Sequence, residues 1–129
     1  MPKARVFTSF DFDHDEDLRN LLIGQSRNPD SPFEMADWSL REPFSGDWKE
    51  KVRRRIRQVD QVVVMCGEYT DTATGVNSEL EIAQEERKSY FHLKGRANRA
   101  CKFPRSARGT DKMYNWTWEN LKKLLGGAR

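Results

Sequence analysis

The sequence predicts an α/β fold: a three-layer sandwich with a mainly parallel sheet of four to five strands and helices on both faces. Three observations predict it. Short β-branched or aromatic runs alternate with helical patterns along the whole chain. The run Gln61-Val62-Val63-Val64-Met65-Cys66 is apolar at nearly every position, as a parallel strand buried on both faces is. The 129 residues show no repeat and no internal boundary, so residues 1–129 are expected to form one domain with a real core.

The elements follow in order. Residues 4–10 read as a first strand. The acidic run from Asp11 to Asp17 comes next, with Leu18, Leu21 and Leu22 at helical spacing behind it and Asp13 or Asp15 as N-cap. Asn28-Pro29-Asp30-Ser31-Pro32 breaks the chain, and Phe33 to Trp38 forms a short second strand. Trp48, Val52, Ile56 and Val59 mark one face of a second helix, entered by Asp47 and Glu50 at capping-box spacing. Gln61 to Cys66 is the third strand and stops at Gly67. Val76, Leu80 and Ala83 give a third helix its core face, and Tyr90 to Leu93 is the fourth strand. Residues 94–110 read as a long loop, with a short fifth strand expected around Ala100 to Phe103. Tyr114, Trp118, Leu121 and Leu125 form a last helical stripe, ended by Gly126 and Gly127. This alternation is that of a flavodoxin-like sandwich.

Composition narrows the function classes. A third of the residues are charged, the net charge is +3, and mean hydropathy is −0.89. The apolar runs fall far short of the ~20 residues that span a bilayer. No signal peptide is visible, so a cytoplasmic protein without membrane attachment is expected. Cys66 and Cys101 lack CxxC spacing and paired histidines, which suggests reduced thiols and not a zinc site.

In open α/β sheets ligands bind beyond the carboxyl ends of the strands, and the polar loop from Gly67 to Gly75 lies there. Glu79, expected in or near the first turn of the third helix, is the leading candidate for chemistry. A carboxylate at that place suits a ribose hydroxyl pair or an oxocarbenium-like transition state; it equally suits a solvated helix turn. Thr70, Thr72, Thr74 and Gly75 lead into a helix N-terminus that suits a phosphate. Glu81, Glu85 and Glu86 read as an exposed face balanced by Arg87 and Lys88. The acidic cluster after the first strand reads as helix capping. A receiver domain needs an aspartate after the third strand, where Cys66-Gly67-Glu68 stands. A flavodoxin needs a small hydroxyl-rich loop, where Ser9-Phe10-Asp11-Phe12 stands, so bound FMN is not expected. The basic side of the second helix, Lys49 to Arg57, reads as solvated. Lys94, Arg96, Arg99, Lys102, Arg105 and Arg108 make a basic loop, but no nucleic-acid motif accompanies it, and nucleic acid is not expected as a partner.

The chain resembles the small TIR-like family, flavodoxin-like relatives of TIR domains in Thoeris-type bacterial antiphage defence. The resemblance covers nearly the whole chain. It is carried by Arg5-Val6-Phe7-Thr8-Ser9-Phe10-Asp11, Asn28-Pro29-Asp30-Ser31-Pro32-Phe33-Glu34, Asp37-Trp38-Ser39-Leu40, Trp48-Lys49-Glu50-Lys51-Val52 and Cys66-Gly67-Glu68-Tyr69-Thr70. Thr72-Ala73-Thr74-Gly75-Val76, Glu79-Leu80 and Lys112-Met113-Tyr114-Asn115-Trp116-Thr117-Trp118 complete it.

The resemblance implies nucleotide chemistry: cleavage of the nicotinamide–ribose bond of NAD, with NAD as substrate and no tightly bound cofactor. A hydrolase or a cyclase making a cyclic ADP-ribose-type signal is implied, with a partner effector reading that signal and with self-association. Glu79 matches the catalytic glutamate of the family. Ser9, Phe10 and Asp11 match the first-strand edge of its pocket, and Trp38 the segment leading to the pocket-covering loop. Gly67, Thr70 and Thr74 complete the expected substrate contacts. Many TIR enzymes carry a tryptophan four residues before the glutamate; Gly75 stands there in this chain. A non-catalytic assembly or nucleotide-sensing module is the alternative.

Overall fold

A computed structural model describes residues 3–39 and 47–127 of the chain. At its centre lies β3 (Gln61–Cys66), buried at every residue. β3 pairs in parallel with β1 (Ala4–Ser9) on one side and β4 (Ser89–Lys94) on the other. β2 (Phe33–Trp38) adds in parallel outside β1, and the three-residue β5 (Met113–Asn115) outside β4. The order is therefore β2-β1-β3-β4-β5, all parallel, as the alternation predicts. Along β3, side chains point alternately to the two faces. Val62, Val64 and Cys66 pack with Trp48, Val52 and Ile56 of α2 (Trp48–Arg57) and Val76, Leu80 and Ala83 of α3 (Thr74–Glu85). Val63 and Met65 pack with Leu18 and Leu22 of α1 (Glu16–Ser26) and Leu121 and Leu124 of α4 (Trp118–Leu125). Each Val, Leu, Ile or Met among them stabilises the fold by about 1.5–3 kcal/mol through burial.

Several local expectations are corrected. Leu21 is 60% exposed; Leu18 and Leu22, four apart, carry the core contact of α1 alone. Asp15 stands at the N-cap position of α1 without making the side-chain cap bond, because its carboxylate turns towards Gly67 and Arg96. Asp47 makes no side-chain cap bond to α2 either. The fifth strand is not at Ala100 to Phe103, which lies in the loop after β4, but at Met113–Asn115. Tyr114 consequently belongs to β5. The last helix starts at Trp118, capped by Thr117 Oγ1, which accepts from the Asn120 N–H at 3.0 Å. Gly127, at φ 103°, occupies the left-handed conformation that ends it. Glu86 is balanced not by Arg87 and Lys88 but by Arg53 (2.8 Å) and Arg57 (2.5 Å) of α2, an ion-pair seam between α2 and α3. That seam also occupies two of the cations read as a solvated face.

The long loop after β4 is strapped down at both ends. Arg96 reaches Asp15 (3.2 Å), Asp17 (2.8 Å) and the His14 carbonyl (3.0 Å). The Lys102 N–H donates to the Gly67 carbonyl at 2.9 Å. At the far end Asp111 accepts from Tyr90 and lies 3.0 Å from Nε2 of His92, which is buried. Burial opposes the charge on Asp111, but the hydrogen bonds from His92 and Tyr90 hold its carboxyl below the ordinary value. Among the described residues, no helix is long and apolar enough to cross a membrane.

Candidate functional site

β1 is flanked by β2 on one side and β3 on the other, so the chain reverses direction across the sheet at β1. The crevice beyond the carboxyl ends of β1 and β3 is the topological switch point, where this architecture places ligands. Ser9 is the last residue of β1, and its hydroxyl donates to Glu79 Oε1 at 2.6 Å. The Ser39 hydroxyl, one residue past β2, donates to the same oxygen at 2.6 Å. Ser39 Oγ in turn accepts the Phe10 N–H at 3.0 Å, which leaves its own proton to point at Glu79. Two strand ends and one helix thus converge on one carboxylate oxygen.

Glu79 differs from the sequence reading in two ways. α3 begins at Thr74, so Glu79 lies in the second turn, beyond the reach of the helix terminus that would favour its charge. It is also fully buried, not solvated. Its Oε1 is met by two serine hydroxyls and not by the helix terminus.

The other expected residues divide into three groups. Ser9, Phe10 and Trp38 surround the β1–β2 side of the cluster. Phe10 is buried in the core, while Trp38 is 37% exposed, with the Arg19 guanidinium 5.5 Å from both rings. Phe10 is thus covered by the protein's own core, whereas part of Trp38 reaches the surface. The pocket-covering segment expected after Trp38 lies outside the described residues.

Asp11, Gly67 and Thr70 lie on the β1–β3 side. Asp11 Oδ2 holds His14 Nδ1 at 2.7 Å, and its Oδ1 accepts the Asp13 N–H. The hydrogen bond that its ring makes to the Asp11 carboxylate raises the His14 pKa above its ordinary value. Thr70 is buried and accepts the Gly67 N–H on Oγ1 at 2.7 Å, so it shapes the loop. Gly67 is required sterically: an added Cβ would lie 2.3 Å from Asp15 Oδ2. Asp15 is buried, and burial raises its pKa against the pull of Arg96.

Thr74 is separate. It is exposed and lines a depression of about 310 Å³ with Asp71, Asn77, Glu81 and Arg105. That lining does not include Glu79. Ser39 and Arg96 are the residues sequence reasoning missed. Ser39 follows directly on Trp38, and a hydroxyl one residue past a strand was the available signal. Arg96 sat unremarked among the other cations of the basic loop. Two more of those cations face carboxylates of the same chain, Arg99 near Glu68 (4.0 Å) and Lys102 near Asp71 (3.9 Å). Among the described residues, no group of three His, Cys, Asp or Glu side chains is arranged to hold a metal ion.

A comparison with curated proteins gave no match. Residues 7–97 match the family described as Thoeris protein ThsB, TIR-like domain. The matched span runs from β1 through β4 and contains Ser9, Ser39, Gly67 and Glu79. The chain therefore belongs to the Thoeris ThsB TIR-like family and is a TIR-like domain of antiphage-defence signalling.

Proposed function

We propose that this domain cleaves the bond between nicotinamide and ribose in NAD, as hydrolase or cyclase, and that its product signals to a partner effector in the bacterial cytoplasm. The observation that carries the reading is the convergence of Ser9 and Ser39 on Glu79 beside the switch point. The serine hydroxyls occupy the acceptor sites that ribose hydroxyls would take. A hydroxyl-for-hydroxyl exchange would let Glu79 grip the ribose with its hydrogen bonding unchanged. The C1′–N1 bond then breaks with its electron pair leaving on nicotinamide, and the carboxylate steadies the positive charge developing at C1′. Water attack gives ADP-ribose, nicotinamide and a proton; attack by a ring nitrogen of the same molecule's adenine gives a cyclic product. Trp38 stacks on the nicotinamide ring. No tightly bound cofactor takes part.

Full burial of Glu79, with Gly75 in place of the usual tryptophan, favours a second reading. In it the cluster only ties β1, β2 and α3 together, and the domain assembles with itself or senses a nucleotide. NAD consumption by the purified protein, at low and high concentration with products resolved by mass, separates the two. We expect turnover that Glu79→Gln lowers by at least about a hundredfold, the scale of a lost electrostatic group. Wild-type turnover that survives this substitution overturns the catalytic assignment.

A further inference from the structure

Two aromatic rings stand at the mouth of the switch-point crevice without a role so far. His14 comes from the loop after β1, and Tyr69 from the loop after β3. They stack across the crevice with ring centroids 4.2 Å apart and planes 24° apart. Tyr69 is 51% exposed, although one of its faces is covered by His14. Its open face is therefore available to another ring.

The pair is held from beneath on both sides. Asp11 fixes the His14 ring through Nδ1 (2.7 Å), and Arg96 holds the His14 carbonyl (3.0 Å). On the other loop, Thr70 pins the Gly67 N–H, and the Thr72 N–H donates to the Tyr69 carbonyl at 3.1 Å. The two loops meet where the Asp15 carboxylate lies against Gly67. Rings mounted on such a base lose little freedom when a third ring joins the stack.

We propose that His14 and Tyr69 form the stacking platform for the purine of a dinucleotide lying along the carboxyl edge of the sheet. This rests on the reading that the edge takes NAD. The assignment of ends follows from Glu79. Its serine partners come from the ends of β1 and β2, beside Trp38, so the reacting nicotinamide riboside belongs on that side. The β1–β3 side is left for the other base. On the open face of Tyr69 a neutral, electron-rich purine is tolerated beside an imidazole that Asp11 biases towards its cationic form, whereas a cationic ring would be repelled there.

The chain has two histidines, which makes imidazole NMR a direct test. Adenosine monophosphate serves as the probe because it has the purine but no nicotinamide bond to cleave. Titrated into the wild-type protein at fixed pH, it is expected to move the His14 ring resonances by ring current and leave those of buried His92 in place. Tyr69→Ala, at an exposed position, should weaken binding by about tenfold or more, and Tyr69→Phe should restore it. Ribose 5-phosphate should leave His14 unmoved. Absence of binding at millimolar nucleotide, unchanged affinity in Tyr69→Ala, or an equal response to ribose 5-phosphate overturns the platform. NAD turnover without this response leaves the enzyme and removes the platform; the response without turnover does the reverse.

Discussion

Replacing Gly67 by alanine tests how the two loops of the crevice are fitted together. A Cβ there lies 2.3 Å from Asp15 Oδ2 and 2.5 Å from Oδ1, so the carboxylate must move. It is not free to do so cheaply. Asp15 is 1% exposed, and Arg96 holds its Oδ1 at 3.2 Å. Overpacking a close-packed site costs about 1–3 kcal/mol. Losing a hydrogen bond to a charged group costs about 1.5–3 kcal/mol more. Arg96 keeps Asp17 at 2.8 Å, so the guanidinium is not stranded and the lower part of that range applies. Gly67→Ala should therefore destabilise the domain by about 2.5–4.5 kcal/mol. Asp15→Ala removes the obstacle together with a buried oxygen, Oδ2, that has no hydrogen-bond partner among the described residues. In the double variant the new methyl meets no carboxylate, and the two costs should fall short of their sum by about 2 kcal/mol. Urea denaturation of the four proteins at pH 7 measures the cycle. Additivity within ~0.5 kcal/mol would show that the Gly67–Asp15 contact does not govern the site.

Two further perturbations address the seam and the thiols. Arg57 first and Arg53 second hold the Glu86 carboxyl down at about 2, from an ordinary 4.5. A depressed carboxyl contributes stability above its unfolded value and loses it as pH falls through the folded one. The stability gap between wild type and Glu86→Gln should thus be full at pH 7 and close between about pH 5 and pH 2; a gap that persists at pH 2 would remove the ion pairs as its cause. Cys66 is fully buried, and burial pushes its thiol pKa up, whereas Cys101 is half-buried in the loop after β4. An aromatic disulfide reagent should titrate one thiol in the native protein and both in guanidinium; equal native reactivity would contradict the packing of Cys66 at the end of β3.

What was legible in the sequence was whatever a local period encodes. Trp48, Val52, Ile56 and Val59 share a face whatever lies opposite, and all four are buried. Gln61 to Cys66 announces a central strand because no position is spared for solvent. β5 is different. Three residues pair with β4 only from His92 to Lys94, and their tertiary setting makes a strand of a tyrosine that otherwise continues a helical stripe. The exposure of Leu21 is likewise a tertiary outcome, since Leu18 and Leu22 take the core contact and leave it outside. Its spacing alone reads as core.

The site depends on a feature with no local signature. β1 and β2 run in simple register from Ala4 opposite Phe33 to Val6 opposite Met35, then step by one, so that Phe7 faces Asp37 and Thr8 faces Trp38. Ala36 is the extra residue. The Ser39 N–H accordingly donates to the Thr8 carbonyl at 3.0 Å. Without that step Trp38 would lie level with Ser9, and Ser39 one residue beyond it, because a one-residue slip exchanges the faces of a strand. With it, Ser39 comes level with Ser9, both hydroxyls reach Glu79, and Trp38 is left at the surface with Arg19. A glutamate in the second turn of a helix reads as surface until this register is known. The bulge turns three residues scattered over seventy positions into one cluster, which is why Glu79 could be singled out from the chain while Ser39 could not.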